Sequence, residues 1–250
     1  MLRKRIIPIL LIRDKSLVKT VNFNKFSYIG DPCNTLSIFN DLEVDEICIL
    51  DILASSLNKE PNFGLLSDIA DECFMPLCYG GGITSVENAK RIFDIGFEKV
   101  SLNSNCIEDL SLVSALAKLY GSQSIVCSVD VKKNYLGKDM IFNKNFKRIK
   151  VNPYDHVKAL ETAGAGEILL TSVNREGTWS GADIELIEKI SDLVNIPVIA
   201  QGGIGSVDDI SSVFKNTSAS AVGVGSLVSF QGKDKGVLIN FPEIDKKPFV

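Results

Sequence analysis

The sequence predicts an α/β protein, a (βα)8 TIM barrel built from two duplicated half-barrels, and three observations carry that prediction. The chain has 250 residues, 45% of them hydrophobic, which suits one barrel domain. Short runs rich in isoleucine, valine and leucine alternate with amphipathic segments, as in parallel strands covered by helices. An eight-residue pattern also recurs after about half the chain. We expect one domain over residues 1–250, with half-barrels at about 1–120 and 121–250, because an open doubly wound sheet needs no such duplication.

Each predicted strand is too short for a helix, and an amphipathic segment separates it from the next strand. Two of these segments, Val86–Ile95 and Asp183–Leu193, are predicted helices. Eight strand–helix units close naturally into a barrel. The strands are predicted at Ile6–Ile12, Glu46–Asp51, Pro76–Tyr79, Lys99–Asn103, Ser124–Asp130, Glu167–Ser172, Pro197–Gln201 and Ala221–Gly225.

The repeated pattern places a glycine pair at the end of one strand in each half. Residues 81–88 match residues 202–209, and they follow the third and the seventh predicted strand. In both copies a serine with an acidic residue two positions later is typical of a helix start. Glycines let backbone N–H groups approach an anion, and a helix N-terminus favours negative charge. The pattern therefore favours a phosphate site in each half, with tight turns before helices as the alternative.

Small polar residues in neighbouring loops complete the two predicted phosphate sites. Two sites facing each other across the barrel mouth favour a long substrate with a phosphate at each end. The first site combines Gly82, Asn103 and Ser104, and the second combines Gly177, Gly203, Gly225 and Ser226.

Two acidic residues end predicted strands. Asp51 ends the second and Asp130 the fifth, at the end of the barrel where such enzymes carry their chemistry. A carboxylate surrounded by apolar strand residues can act as a general acid or base, although capping a loop is an equal alternative for either one. Lys19, in the first loop, is a candidate partner for a substrate anion, but the sequence alone favours a solvated surface lysine.

Four charged residues begin predicted strands at the opposite end of the barrel. Arg5, Glu46, Lys99 and Glu167 begin the first, second, fourth and sixth strands. They are therefore expected to form a ring of alternating charge at the barrel floor. From composition alone, a structural salt-bridge plug is the better interpretation of that ring.

The composition excludes several classes of function. With 27 basic and 31 acidic residues the chain has a net charge of −4, whereas nucleic-acid binding favours a basic domain. The single histidine, His156, and six cysteines without a Cys-x-x-Cys pair exclude catalytic triads and common zinc sites. No apolar stretch reaches the length that a membrane span needs, and the apolar start lacks a signal-peptide cleavage site. We expect a cytoplasmic protein with no metal, no cofactor, no nucleic acid and no membrane attachment.

Essentially the whole chain resembles the cyclase subunit of imidazole glycerol phosphate synthase. The resemblance implies a (βα)8 barrel that receives ammonia from a glutaminase docked as a heterodimer on its N-terminal face. It also implies a ribulosyl substrate with two phosphates, converted to imidazole glycerol phosphate and an aminoimidazole carboxamide ribotide. The matching segments are Lys4–Pro8, Gly30–Pro32, Leu50–Ile52, Gly80–Ile83, Lys99–Asn103, Gly121–Gln123 and Gly166–Ser172.

Carried over by position, the resemblance assigns roles to the candidate residues. It makes the four floor residues the charged gate for ammonia, and it makes Asp130 one of two catalytic carboxylates. Both glycine sites become phosphate cradles, the second with a one-residue shift at Gly225 and Ser226. Lys19, Asp51 and Thr171 join the implied substrate-binding residues.

The chain departs from the family pattern at the catalytic end. Leu11 occupies the position of the second catalytic aspartate, and an apolar side chain cannot transfer a proton. Glu176 stands in place of an aspartate, Gln201 in place of a serine, and residues 13–16 differ from the usual loop. The floor, by contrast, keeps all four charged residues. This contrast favours a divergent branch that retains ammonia handling and has lost or altered cyclisation.

Three functions remain open at this point. The first is an ammonia-channelling barrel that works with a glutaminase and a sugar amidotransferase, which converts an acetamido group on a surface-polysaccharide sugar to acetamidino. The second is a working cyclase that tolerates Leu11. The third is a non-catalytic conduit and scaffold that binds a phosphorylated effector and activates the glutaminase.

Overall fold

The computed structural model describes residues 4–107, 109–142, 149 and 151–242, so both ends of the predicted domain lie outside the described residues. The strands are β1 (Arg5–Arg13), β2 (Ser16–Val21), β3 (Lys25–Gly30), β4 (Ile47–Asp51), β5 (Leu77–Gly80), β6 (Lys99–Leu102), β7 (Ile125–Lys133), β8 (Asp139–Ile141), β9 (Glu167–Ser172), β10 (Val198–Gln201) and β11 (Ala221–Val224). The helices are α1 (Pro32–Asp41), α2 (Phe63–Glu72), α3 (Val86–Ile95), α4 (Ser111–Tyr120), α5 (Pro153–Ala163), α6 (Ile184–Ser191), α7 (Val207–Asn216) and α8 (Ser226–Ser229).

Eight parallel strands form a closed barrel. Around the barrel they follow the order β1, β4, β5, β6, β7, β9, β10 and β11, and β11 pairs with β1 to close it. These eight are the strands that the sequence predicts, with ends that shift by at most three residues. The barrel prediction is therefore confirmed.

Six of the eight helices in the described part of the chain begin at a capping side chain, and α4 and α8 do not. Ser85 Oγ accepts the backbone N–H of Asn88 at 3.1 Å, so α3 covers the predicted range. At the equivalent place in the second half, Ser206 and Asp209 form a reciprocal capping box that starts α7. Helix α6 is shorter than the predicted Asp183–Leu193 because Asp183 is its N-cap and the helix ends at Ser191, with Asp192 as the C-cap.

The core has two parts on either side of the barrel wall. The larger one packs outward-facing strand residues against the helices. The smaller one fills the barrel lumen with buried apolar side chains: Ile7, Ile9, Leu11, Val18, Cys48, Cys78, Val126, Leu169, Ile199 and Ala221. No helix in the described part of the chain combines the length and apolar character needed to cross a membrane.

The first βα connection contains an antiparallel hairpin that the sequence analysis does not predict. β2 pairs with β1 and β3 pairs with β2, with a turn at Asn22–Asn24. Both Asn22 and Phe23 have positive φ angles in this turn. The hairpin contacts the loop after β9, where Asn22 Nδ2 donates to the carbonyls of Val173 and Asn174 at 3.0 and 2.9 Å. It therefore links the first and sixth loops across the barrel mouth.

Candidate functional site

A cavity of about 420 Å³ opens at the carboxyl ends of the barrel strands. Its size lies within the range of small-molecule sites. The predicted site residues that line it are Asp51, Gly82, Asn103, Ser104, Asp130 and Thr171. The structure thus brings both predicted acidic residues and the first predicted phosphate cradle to one cavity.

Leu11 also lines this cavity, and its side chain is 6% exposed. It pairs in register with Leu50 on one side and Val18 on the other. At this position the cavity wall is apolar, so Leu11 supplies no proton-transfer group there.

Asp130 is held by two neighbouring polar side chains. Asn103 Nδ2 donates to Asp130 Oδ2 at 2.6 Å, and the Thr171 hydroxyl lies within hydrogen-bond reach of the same carboxylate. Burial raises the pKa of Asp130 above its ordinary value, and the charge of Glu176 adds to that rise. The hydrogen bonds from Asn103 and Thr171 oppose it. A carboxyl group with a raised pKa in a cavity is suited to proton transfer.

Asp130→Asn is expected to stabilise the fold at neutral pH. The raised pKa means that Asp130 holds its proton more tightly in the folded state than in the unfolded state. The free energy of unfolding therefore falls as the pH rises from the unfolded-state pKa of Asp130 to its folded-state pKa. The asparagine side chain carries no charge to desolvate, and thermal unfolding at pH 7 should shift upward by roughly 2–4 °C, the effect of about 1 kcal/mol. The difference should vanish at a pH below both pKa values. A lower midpoint for the variant at pH 7 would contradict this account.

Asp51 has a different local role. Its Oδ1 accepts the backbone N–H groups of Leu53 and Ala54, each at 2.9 Å. Burial is the main cause that raises its pKa. One oxygen of Asp51 thus orders the second loop, which is the capping role that the sequence analysis gives as the alternative to acid–base chemistry.

The residues of the first predicted phosphate cradle lie in the wall of the main cavity. The backbone N–H of Gly82 points to Ser55 Oγ at 3.2 Å, and Asn103 and Ser104 line the same cavity. Gly82 has φ +69°, and a Cβ at this position would lie 2.4 Å from the carbonyl oxygen of Lys59. Only glycine fits this close approach. Of the three cradle residues, Asn103 already uses its amide on Asp130.

The second cradle is a separate depression of only about 20 Å³. Gly177, Gly203, Gly225 and Ser226 line it as predicted, together with Lys19, Glu176 and Gln201. The prediction that Lys19 is a solvated surface residue is wrong. Lys19 lies on β2 with 8% exposure, and its ammonium group forms an ion pair with Glu176. The hairpin, which the sequence did not reveal, carries Lys19 to this position.

The four charged residues at the barrel floor form a closed ring of ion pairs. Arg5 contacts Glu46 at 2.7 Å and Glu167 at 2.8 Å. Lys99 contacts the same two carboxylates, at 2.8 Å and 3.3 Å. Burial by itself lowers the pKa of Arg5 and Lys99, but the charges of Glu167 and Glu46 outweigh it, so the pKa of each is raised. Both cations are therefore charged at neutral pH, each beside two carboxylates.

Two further residues at the cavity were missed by sequence reasoning, one at the end of β1 and one on β3 of the hairpin. Arg13 and Phe26 both line the cavity, and the guanidinium carbon lies 3.7 Å from the centre of the ring. No local signal pairs residues 13 and 26, because their contact depends on the turn between β2 and β3. Among the described residues, His, Cys, Asp and Glu side chains form no cluster of three that could hold a metal ion.

Comparison with known proteins places these features in a family. Residues 5–234 match the family described as "Histidine biosynthesis protein". The chain is 49% identical over 247 residues to the "Putative imidazole glycerol phosphate synthase subunit hisF2" of Pseudomonas aeruginosa, with 98% of each chain covered. It is 45% identical to the putative subunit hisF3 of Vibrio vulnificus, covering 99% of this chain and 96% of that protein.

A relative whose name lacks the word putative is also similar. The "Imidazole glycerol phosphate synthase subunit HisF" of Alkaliphilus metalliredigens is 39% identical, with 92% of each chain covered. The family match and these full-length similarities agree with the closed barrel described above. The chain therefore belongs to the histidine biosynthesis protein family, in its HisF-like group.

Proposed function

We propose that this chain conducts ammonia from a glutaminase subunit to a sugar amidotransferase, which converts an acetamido group on a surface-polysaccharide sugar to acetamidino. The observation that carries the proposal is the contrast between the two ends of the barrel. The charged ring at the floor is intact, whereas Leu11 lines the cavity where the resembling family has its second catalytic aspartate. General acid–base help is worth about 10²–10⁴-fold, so its loss weighs against cyclisation.

The lumen above the ring is filled, so ammonia passes only if its packed side chains move apart, and their character favours a neutral molecule. They are buried and mostly apolar or thiol groups, together with the hydrogen-bonded hydroxyls of Ser101 and Ser128. An ion that leaves water for such surroundings without a partner meets a large cost, whereas uncharged ammonia does not. The ring of two cations and two anions is balanced, so it gives neither sign of ion a net attraction. A charged ring at the floor followed by an apolar lumen therefore favours delivery of NH3 and exclusion of NH4⁺.

The face around the ring also supports a partner. Phe74 lies between α2 and β5, at the N-terminal end of the barrel, and its side chain is 87% exposed. Leu119, near the end of α4 on the same face, is 62% exposed. Large exposed apolar side chains favour burial against another protein. A glutaminase seated here would cover them and release ammonia next to the ring.

Growth of a cyclase-deficient bacterial strain tests the proposal. The gene for this chain, expressed with its glutaminase, is expected not to restore histidine-independent growth, because Leu11 cannot transfer a proton. A cyclase of the same family that carries both aspartates serves as the positive control in the same strain. Full rescue by this chain would overturn the assignment to sugar amidination.

A working cyclase is the second candidate, and the position of the Asp130 carboxylate in the cavity favours it. This carboxylate is in place, hydrogen-bonded by Asn103 and raised in pKa. The relatives' names also refer to imidazole glycerol phosphate synthase. Rescue in the growth test would select this candidate.

The non-catalytic scaffold is separated from the working cyclase by one variant. If the barrel only conducts ammonia and activates the glutaminase, Asp130→Asn should leave product formation unchanged. Loss of product in Asp130→Asn, with the protein folded and bound to its partner, would exclude the scaffold.

A further inference from the structure

The two halves of the barrel differ in the side chain that faces each glycine cradle. A Cβ on Gly81 would meet the carbonyl of Asp51, and a Cβ on Gly202 would meet the carbonyl of Ser172. These matching contacts show that residues 121 positions apart occupy equivalent places in the two halves. By that offset, Ser55 in the second loop corresponds to Glu176 in the sixth.

Ser55 leaves its cradle open, whereas Glu176 forms an ion pair beside its own. In the first half, Ser55 offers a small hydroxyl to the N–H of Gly82 and leaves the cradle open to the main cavity. In the second half, Glu176 is 2% exposed and pairs with Lys19. Its other oxygen, Oε2, accepts the backbone N–H of Phe23 at 3.1 Å. Both carboxylate oxygens are therefore held by the hairpin.

The ion pair between Lys19 and Glu176 also fills the second cradle and neutralises the ammonium group of Lys19. The methylene stem of Lys19 lies against Gly225, where a Cβ would be 2.8 Å from Lys19 Cε. The remaining depression, about 20 Å³, is close to what one water needs and far below a phosphate. The ammonium group of Lys19 is already paired with the carboxylate of Glu176, so it is not free to bind a phosphate.

The main cavity next to Glu176 is suited to an uncharged polar group. Thr20, Thr171 and Gln201 line this side of the cavity with Glu176. The hydroxyl oxygen of Thr20 is buried and has no hydrogen-bond partner among the described residues. Hydroxyl and amide groups of this kind bind sugar hydroxyls, and none of these three side chains carries a positive charge. The cations that line the same cavity, Arg13 and Lys132, lie over the rings of Phe26 and Phe142.

We infer that the ligand of this cavity carries one phosphate, not two, and that Glu176 sets this specificity. The phosphate lies at Gly82 and Ser104, and a hydroxyl-bearing end of the ligand lies toward Thr20 and Glu176. The inference takes Gly82 and Ser104 as the phosphate site that the sequence motifs predict, and it does not depend on ammonia delivery. It differs from the two-phosphate substrate that the sequence motifs predict.

Calorimetric titration of the full-length protein with ribulose monophosphate and ribulose bisphosphate tests the inference. For the wild type we expect both compounds to bind with Kd values within about twofold, because only one phosphate finds a cradle. Glu176→Ser copies the residue of the first half and frees Lys19, so it should tighten bisphosphate binding at least about tenfold while monophosphate binding stays the same. Glu176→Gln, which keeps the shape, should give a smaller shift in the same direction.

Glu188→Ser is the matched control, because it removes an acidic side chain from the exposed face of α6. It should leave both Kd values unchanged, and unfolding curves establish that each variant folds. A wild-type preference for the bisphosphate of tenfold or more would overturn the inference, as would binding of neither compound. These titrations need no glutaminase. A contrary titration result would therefore not bear on the proposal of ammonia delivery. A contrary result in the growth test would likewise not bear on the one-phosphate inference.

Discussion

Lys99→Met is expected to uncouple glutamine hydrolysis from product formation. The change removes one of the two cations that hold Glu46 and Glu167 in the floor ring. The two carboxylates then share Arg5 alone, so the ring carries a net negative charge and loses its fixed geometry. Ammonia released by the glutaminase then escapes to solvent or remains as NH4⁺ at the ring.

The measurement is product formed per glutamate released in the reconstituted glutaminase–barrel–amidotransferase system. We expect this ratio to fall by about tenfold, a coupling effect of the usual size. Product formation from added ammonium chloride should not change, because ammonia then reaches the amidotransferase from solution. Lys99→Arg, which keeps the charge, should restore much of the coupling.

Lys90→Met on the exposed face of α3 is the control for removal of a lysine. A normal ratio of product to glutamate in Lys99→Met would show that ammonia does not pass through the ring. A fall in the ammonium-dependent reaction to the same extent would instead assign Lys99 a structural role.

Gly166→Ala is expected to cause a large loss of stability. A Cβ at Gly166 would lie 2.0 Å from the carbonyl oxygen of Ser122 and 2.5 Å from its carbon. Both are backbone atoms, so the clash cannot be relieved by rotation of a side chain. The chain must shift before β9, and the free energy of unfolding should fall by about 3 kcal/mol or more.

Chemical denaturation of the wild type and the variant measures this difference. Gly236→Ala is the matched control, since a Cβ at Gly236 meets no atom within 4 Å. We expect the control to change the free energy of unfolding by less than about 0.5 kcal/mol. Equal stabilities for Gly166→Ala and the wild type would mean that the close approach of Gly166 to Ser122 is absent in solution.

Gly166 also connects stability to the floor ring. The next residue is Glu167, which begins β9 and accepts hydrogen bonds from both Arg5 and Lys99. A shift of the backbone at residue 166 therefore moves a carboxylate of the ring. We expect Gly166→Ala, where it still folds, to reduce coupling in the same assay as Lys99→Met.

Several elements could be read directly from the sequence because their signals are local. The barrel strands are apolar runs, and Ser85 and Ser206 each precede a helix that begins where predicted. The floor ring was also predictable. Once the strands are parallel, residues that begin them must lie at the same end of the barrel.

Other features were not predictable because they depend on contacts between distant loops. The hairpin of β2 and β3 has two six-residue strands that mix polar and apolar residues, with Lys19 on the first, and no local signal predicts their pairing. Only docking against the loop after β9 buries Lys19 beside Glu176. The second cradle was predicted from its glycines, but the side chains that fill it come from the first and sixth loops.

The sequence by itself determined the barrel, its repeated glycine turns, the charged ring and an apolar residue, Leu11, near the carboxyl end of the first strand. Each of these follows from residue type and from position along a strand, which parallel pairing converts directly into height along the barrel axis. Only the tertiary structure decided that the two cradles are unequal and that Lys19 is buried. Those outcomes depend on the volume and charge that separate loops bring to one point, which no spacing along the chain records.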